Sequence, residues 1–156
     1  MEIRALRETE LSAFVDDLWT PFSRAMAAQD PLHTLAEGFR EPVIEHHREK
    51  LGDDDQLVSV AIADDELVAY VSAEIREAPP VVEHDASAHV NELYVRPAHR
   101  REGVADALLT RAEDWGDERD CAFVSLHVHR ENDSAAALYR NREYETARHE
   151  MRKPLE

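Results

Sequence analysis

The 156 residues predict an α/β fold: a mixed sheet, mostly antiparallel but with one parallel strand pair, and helices on both faces. Three observations lead there. Apolar residues recur at helical spacing over 9–50, then give way to β-rich runs from residue 56. Two of those runs, 56–63 and 66–75, are separated by Asp64-Asp65 alone, which reads as a hairpin. A strand–helix–strand unit spans 88–128, and such a unit joins parallel strands by a right-handed crossover.

Taken in order, "EIRAL" (2–6) reads as a short first strand. Leu11, Phe14, Val15, Leu18, Trp19 and Phe22 then repeat at helical spacing over 9–28, with Pro21 as a break or a new first turn. Asp30-Pro31 opens a second helical stretch to about Lys50, with Asp as cap, Pro in the first turn and an interruption at Pro42. "LGDDDQ" is a turn. After the hairpin, Pro79-Pro80 marks a loop over 77–87, and "AHVNELYV" (88–95) is a strand that Pro97 ends. Over 103–116, Val104, Leu108, Ala112 and Trp115 share one helical face. "CAFVSLHV" (121–128) is a strand, Asn132 or Asp133 caps a short helix through Asn141, and "EYETARHEMRKPL" closes as a last strand.

The length suits one domain over 1–156. No apolar run approaches the roughly 20 residues of a membrane span, and "MEIRALRETE" lacks an apolar signal core. Cys121 is the single cysteine, which excludes an intrachain disulfide. A cytoplasmic protein is expected. Asp and Glu number 34 against 18 Lys plus Arg, for a net charge of -16, and among those 18 the lysines are Lys50 and Lys153. The acid is spread along the whole chain. Salt adaptation of the source organism explains that pattern, with an acidic surface for a cationic partner as the rival reading. A nucleic-acid partner is disfavoured, because phosphate contacts need a broad basic surface. The oligomeric state, homodimer or otherwise, is left open.

Within so acidic a chain, "YVRPAHRREGVADALL" places Arg96, Arg100 and Arg101 just before a helix start. A tight turn feeding a helix N-terminus leaves backbone N–H groups free, and the helix dipole adds partial positive charge there. Such a turn suits an anion, above all a pyrophosphate. Gly103 lets the backbone approach closely, and Ala105 is small. Neither the dinucleotide fingerprint nor a P-loop is present.

Arg100, Arg101, Glu102, Gly103, Val104 and Ala105 fit the R/Q-x-x-G-x-G/A signature of the GCN5-related N-acetyltransferase (GNAT) superfamily. "NDSAAALY" resembles that family's second motif, N-x-x-A-x-x-x-Y, with Asn132, Ala135 and Tyr139 in register. The core of the resemblance covers roughly 88–144. It implies a GNAT-like acyltransferase fold and an acetyl-CoA-dependent N-acetyltransferase that works by direct transfer in a ternary complex. It further implies that residues 100–105 hold the cofactor pyrophosphate, and that the strand of Leu93, Tyr94 and Val95 splays from its parallel neighbour to bind the pantetheine arm, with Asn132 also contacting it. One departure stands out: "YRNREY" (139–144) has Arg142 and Glu143 where the family usually has leucine and glycine.

The resemblance makes Tyr139 the acid that protonates the leaving thiolate, and the backbone N–H of Leu93 or Tyr94 the oxyanion donor. His127 is the first candidate base. It lies where acetyltransferases of protein N-termini, which this stretch resembles, carry a glutamate. Glu92 is the second candidate and His89 the third. Arg130, Arg140 and Arg142 are candidates for the cofactor's terminal phosphate. Cys121 is read as structural. His127 and His129 share a strand face, but no further ligand completes a metal spacing, so no metal is expected. The acceptor is an amine, protein or small molecule, lined by 9–50 and 77–87; residues 126–139 point slightly to a peptide or protein amine. The alternative function is a weakly active acetyl-CoA-binding regulatory module.

Overall fold

The computed structural model describes residues 1–155. Five strands form one sheet in sequential order: β1 (Glu2–Ala5), β2 (Gln56–Ala63), β3 (Glu66–Arg76), β4 (Ser87–Val95) and β5 (Val124–Leu126). β1 to β4 pair antiparallel, while β4 and β5 run parallel. The β2–β3 link places both Asp64 and Asp65 at positive φ, 51° and 62°, the backbone that a two-residue hairpin with native twist requires.

One face of the sheet carries α4 (Val104–Glu118), the crossover between the parallel strands. Its buried stripe of Val104, Leu108, Leu109, Ala112 and Trp115 packs on Val68, Val71, Ala88 and Val90. Each fully buried leucine contributes roughly 1.5–3 kcal/mol there. Gly116 lets α4 sit close, since a Cβ at that position would stand 3.0 Å from the Ala88 Cβ.

The other face carries the N-terminal helices: α1 (Leu11–Phe14), α2 (Thr20–Gln29) and α3 (Arg40–Leu51). Val15–Trp19 forms a π-helical turn that joins α1 to α2 without a break. Pro21 lacks the N–H that a regular α-helix would direct to Asp17, so the wider turn falls where the α-pattern loses its donor. The core here is Phe14, Leu18, Val58, Val60 and Tyr70, with Phe14 edge-on to Tyr70 at 4.8 Å between centroids.

α5 (Asp133–Asn141) follows β5. Asn132 caps it, its side-chain oxygen accepting from the Ala135 N–H at 3.1 Å.

Three expectations are corrected. After Asp30-Pro31 the chain makes one 3-10 turn, Pro31–His33, and the helix begins only at Arg40. Asp30 does cap that short turn, accepting from the Leu32 N–H at 3.2 Å. The strand expected over 121–128 is reduced to Val124–Leu126. The last strand expected after residue 142 is absent among the described residues: 145–155 run exposed, without a ladder. That tail is tied down by Arg152, whose guanidinium donates to the buried carboxylate of Asp30 at 2.5 Å.

Candidate active site

β4 and β5 are paired over only three steps, Ala88↔Val124, His89↔Ser125 and Val90↔Leu126. Beyond Val90 they separate, and the cause lies in β4. In the ladder with β3, Ser72 faces Glu92 while the adjacent Ala73 faces Val90, so Asn91 is an extra residue, a β-bulge. A bulge bends its strand and increases the local twist, which carries β4 away from β5.

The bulge also changes which side each residue faces. Ala88 and Val90 pack toward α4, and so do Leu93 and Val95, which breaks the period of two. Glu92 and Tyr94 therefore face the N-terminal helices. Tyr94 packs edge-on to Phe22 at 6.3 Å between centroids. The signal was in the sequence: in "AHVNELYV" the apolar positions change phase between Val90 and Leu93.

The gap between the diverging strands is lined by Val90, Glu92 and Leu93 from β4, His127 beyond β5, and Asn132 and Tyr139 at α5. Phe22 and Met26 of α2 close one side. Five expected site residues thus meet around one opening: Glu92, Leu93, His127, Asn132 and Tyr139. Val95 instead lies in the core, and the Tyr94 side chain turns to α2.

The residues differ in state. Glu92 accepts a hydrogen bond from the Tyr70 hydroxyl at 3.0 Å, and burial raises its carboxyl pKa above the ordinary value. Burial likewise raises the Tyr139 phenol, keeping it protonated. His127 is exposed and stacks edge-on against His89 at 4.8 Å. His89 is buried, its Nδ1 lies 2.8 Å from the Ser125 hydroxyl, and desolvation lowers its pKa to about 4. Cys121 is half-buried behind α4, where burial raises its thiol pKa. No group of three His, Cys, Asp or Glu is arranged to hold a metal ion among the described residues.

β4 runs on through a 3-10 turn, Pro97–His99, to the α4 N-terminus. Arg101 and Gly103 both adopt positive φ, 64° and 81°. Among the described residues, the N–H groups of 101–105 donate to no backbone carbonyl outside their helix. Successive free N–H groups around left-handed residues make a concavity for an anion. A Cβ on Gly103 would have nothing within 4 Å, so this face of the turn is open. Arg100 is held back from that face, its Nε donating to the Val95 carbonyl at 2.9 Å.

The segment after α5 is explained as well. Glu143 takes φ 71°, the left-handed backbone that glycine would supply. Arg142 donates to Asp106 at 3.2 Å and Glu113 at 2.6 Å, which ties the end of α5 to α4. These bonds occupy Arg142 away from the opening.

Sequence reasoning did not single out a second cleft. It lies on the helical side of Glu92 and is lined by Trp19, Pro42, Val43, His46, His47 and Lys50, with Glu92 common to both openings. All but Glu92 fall within 9–50; the 77–87 loop does not line it.

Residues 11–144 match the model of the Acetyltransferase (GNAT) family. The acetyltransferase ECA0875 of Pectobacterium atrosepticum is 30% identical over 146 residues, covering 94% of this chain and 89% of its own. An aminoglycoside N(6')-acetyltransferase type 1 of Acinetobacter haemolyticus is 31% identical over 83 residues, 53% of this chain and 57% of its own. Among solved structures, a mutant of the BH1408 protein of Bacillus halodurans superposes with a TM-score of 0.87 at 18% identity, covering 99% of each chain. The aminoglycoside N-acetyltransferase AAC(6')-Iy, solved in complex with CoA, superposes with a TM-score of 0.73 at 18% identity, again covering 99% of each chain.

Proposed function

Because the chain belongs to the GNAT family of acetyltransferases, we propose that it moves the acetyl group of acetyl-coenzyme A onto the amine of a small molecule, with Glu92 as base and Tyr139 as acid. One observation carries this reading: β4 joins the open N–H turn at 101–105 to a gap lined by a half-buried carboxyl and a half-buried phenol, both with raised pKa. The turn suits a pyrophosphate, and the free backbone edge of β4 beyond Val90 suits an extended amide-bearing arm. Bound there, acetyl-coenzyme A supplies the activated acetyl thioester.

The chain's own groups do the rest. Glu92 takes the proton of the acceptor ammonium, which frees the nitrogen lone pair. Nitrogen then bonds to the acetyl carbon as the carbon–sulfur bond breaks. Tyr139 gives its proton to the departing sulfur, the second proton that the acylated nitrogen sheds restores the phenol, and the Leu93 N–H donates to the carbonyl oxygen as charge develops on it. Glu92 is preferred to His127 as base because it faces both openings, while His127 is exposed and His89 is turned to Ser125. The aminoglycoside-acetylating relatives favour a small-molecule acceptor over a protein one. The distribution of acid continues to favour a salt-rich cytoplasm, and a single domain fits the length.

Titration calorimetry with acetyl-coenzyme A and with adenosine diphosphate tests this first. The whole cofactor should bind far more tightly than the nucleotide. Tyr139→Phe should keep that affinity and lose about 10²–10⁴-fold in kcat. Equal affinity for the two ligands, or full turnover in the variant, overturns the assignment.

A further inference from the structure

The cleft beside Glu92 has a chemistry of its own. Its volume is about 280 Å³, at or below the small end of ligand sites, which run from about 300 to 1,000 Å³. Lys50 lines it, and among the described residues that ammonium has no carboxylate within 4.0 Å, in a chain holding 34 acids. Its place in the last turn of α3 suits the helix dipole, yet that does not require it to line a cleft.

His47 lines the same cleft from behind. It is 2% exposed, its Nδ1 lies 2.9 Å from the Val43 carbonyl, and its Nε2 has no partner. With the proton on Nδ1, Nε2 is a bare acceptor. A buried polar atom left unpaired is costly unless something satisfies it. The cleft therefore offers one carboxyl, Glu92, one cation, Lys50, and an aromatic wall, Trp19, with the His47 ring behind them.

We propose that the acceptor is a small amine that also carries a carboxylate, an amino acid or close relative, with its amine at Glu92 and its carboxylate at Lys50. This rests on the acetyl-transfer reading above. A polyamine or an aminoglycoside offers Lys50 no anion and sets its own positive charges against it. The net charge of -16 draws cations to the outer surface, and within the cleft the carboxyl that feels the Lys50 charge is Glu92, whose ionised form it favours against the burial that raises its pKa.

Matched pairs of acceptors test it: tyrosine against tyramine, leucine against isoamylamine, each with acetyl-coenzyme A. The carboxylate-bearing member should have a kcat/KM at least about tenfold higher, chiefly through KM. Lys50→Met should bring the ratio to about one, and Lys50→Arg should restore most of it. The inference is overturned if the wild type uses the decarboxylated amine equally or better, or if Lys50→Met leaves the ratio unchanged. It also falls if a protein that binds acetyl-coenzyme A acetylates a polyamine but neither member of any pair. A protein that does not bind acetyl-coenzyme A at all sinks the transfer reading itself.

Discussion

At the scale of single residues, Glu92 carries opposing demands. Burial raises its pKa above 4.5 and holds the carboxyl toward its neutral form, while a base must be ionised. Activity should therefore climb with pH through an apparent pKa above 4.5, and Glu92→Gln should remove that limb and most of kcat. The stability sign follows from the same shift. A carboxyl whose folded pKa is raised favours the fold below its unfolded pKa, and that contribution is lost as pH rises through the folded value. Glu92→Gln should thus melt higher than wild type at pH 8 while losing activity. Profiles of kcat/KM against pH and melting curves at pH 5 and 8 check both halves. An unchanged acid limb would move the base elsewhere, with His127 next in line.

At the scale of elements, the end of α5 gives a clean test. Glu143 sits at φ 71° with its side chain exposed. Left-handed backbone costs a residue with a Cβ about 1–2 kcal/mol, partly offset by the greater unfolded-state entropy of glycine. Glu143→Gly should stabilise by roughly 0.5–1 kcal/mol, read from urea denaturation; a loss would mean that the Arg142 ties need the glutamate. Elements differed in how well they could be read. The β2–β3 hairpin was legible because Asp64-Asp65 and the flanking runs each carry the signal locally. The start of α3 was not: Asp30-Pro31 is a sound cap, but it caps a single 3-10 turn. β5 was overread because its length is set by where β4 leaves it, not by its own apolar run. The tail failed for a related reason, since a strand needs a neighbour to pair with and no propensity provides one. The turn at 101–105 was legible because it is a local motif. The Lys50 cleft was not, because its residues come from a helix, a π-turn and a strand that only the fold brings together.

For the whole molecule, charge governs behaviour in solution. With a net charge of -16, self-repulsion opposes the compact state and added salt screens it. Melting in potassium chloride should rise by about 2–4 °C between 0.1 and 2 M, on the order of 1 kcal/mol for a domain of this size. A flat or falling curve would remove the salt-adaptation reading. The ion pairs do not reverse this expectation, because most lie on exposed side chains, where each contributes about 0–1 kcal/mol.

The extra residue at Asn91 gives β4 something like a reading frame. Upstream of it, even numbers belong to the crossover-helix side; downstream, odd numbers do. Removing that one residue would restore a single frame with every side chain on the face it has now, Glu92 still opposite the N-terminal helices, and would take away only the bend that parts β4 from β5. One inserted residue thus changes where the strand goes without changing the face to which any of its side chains belongs.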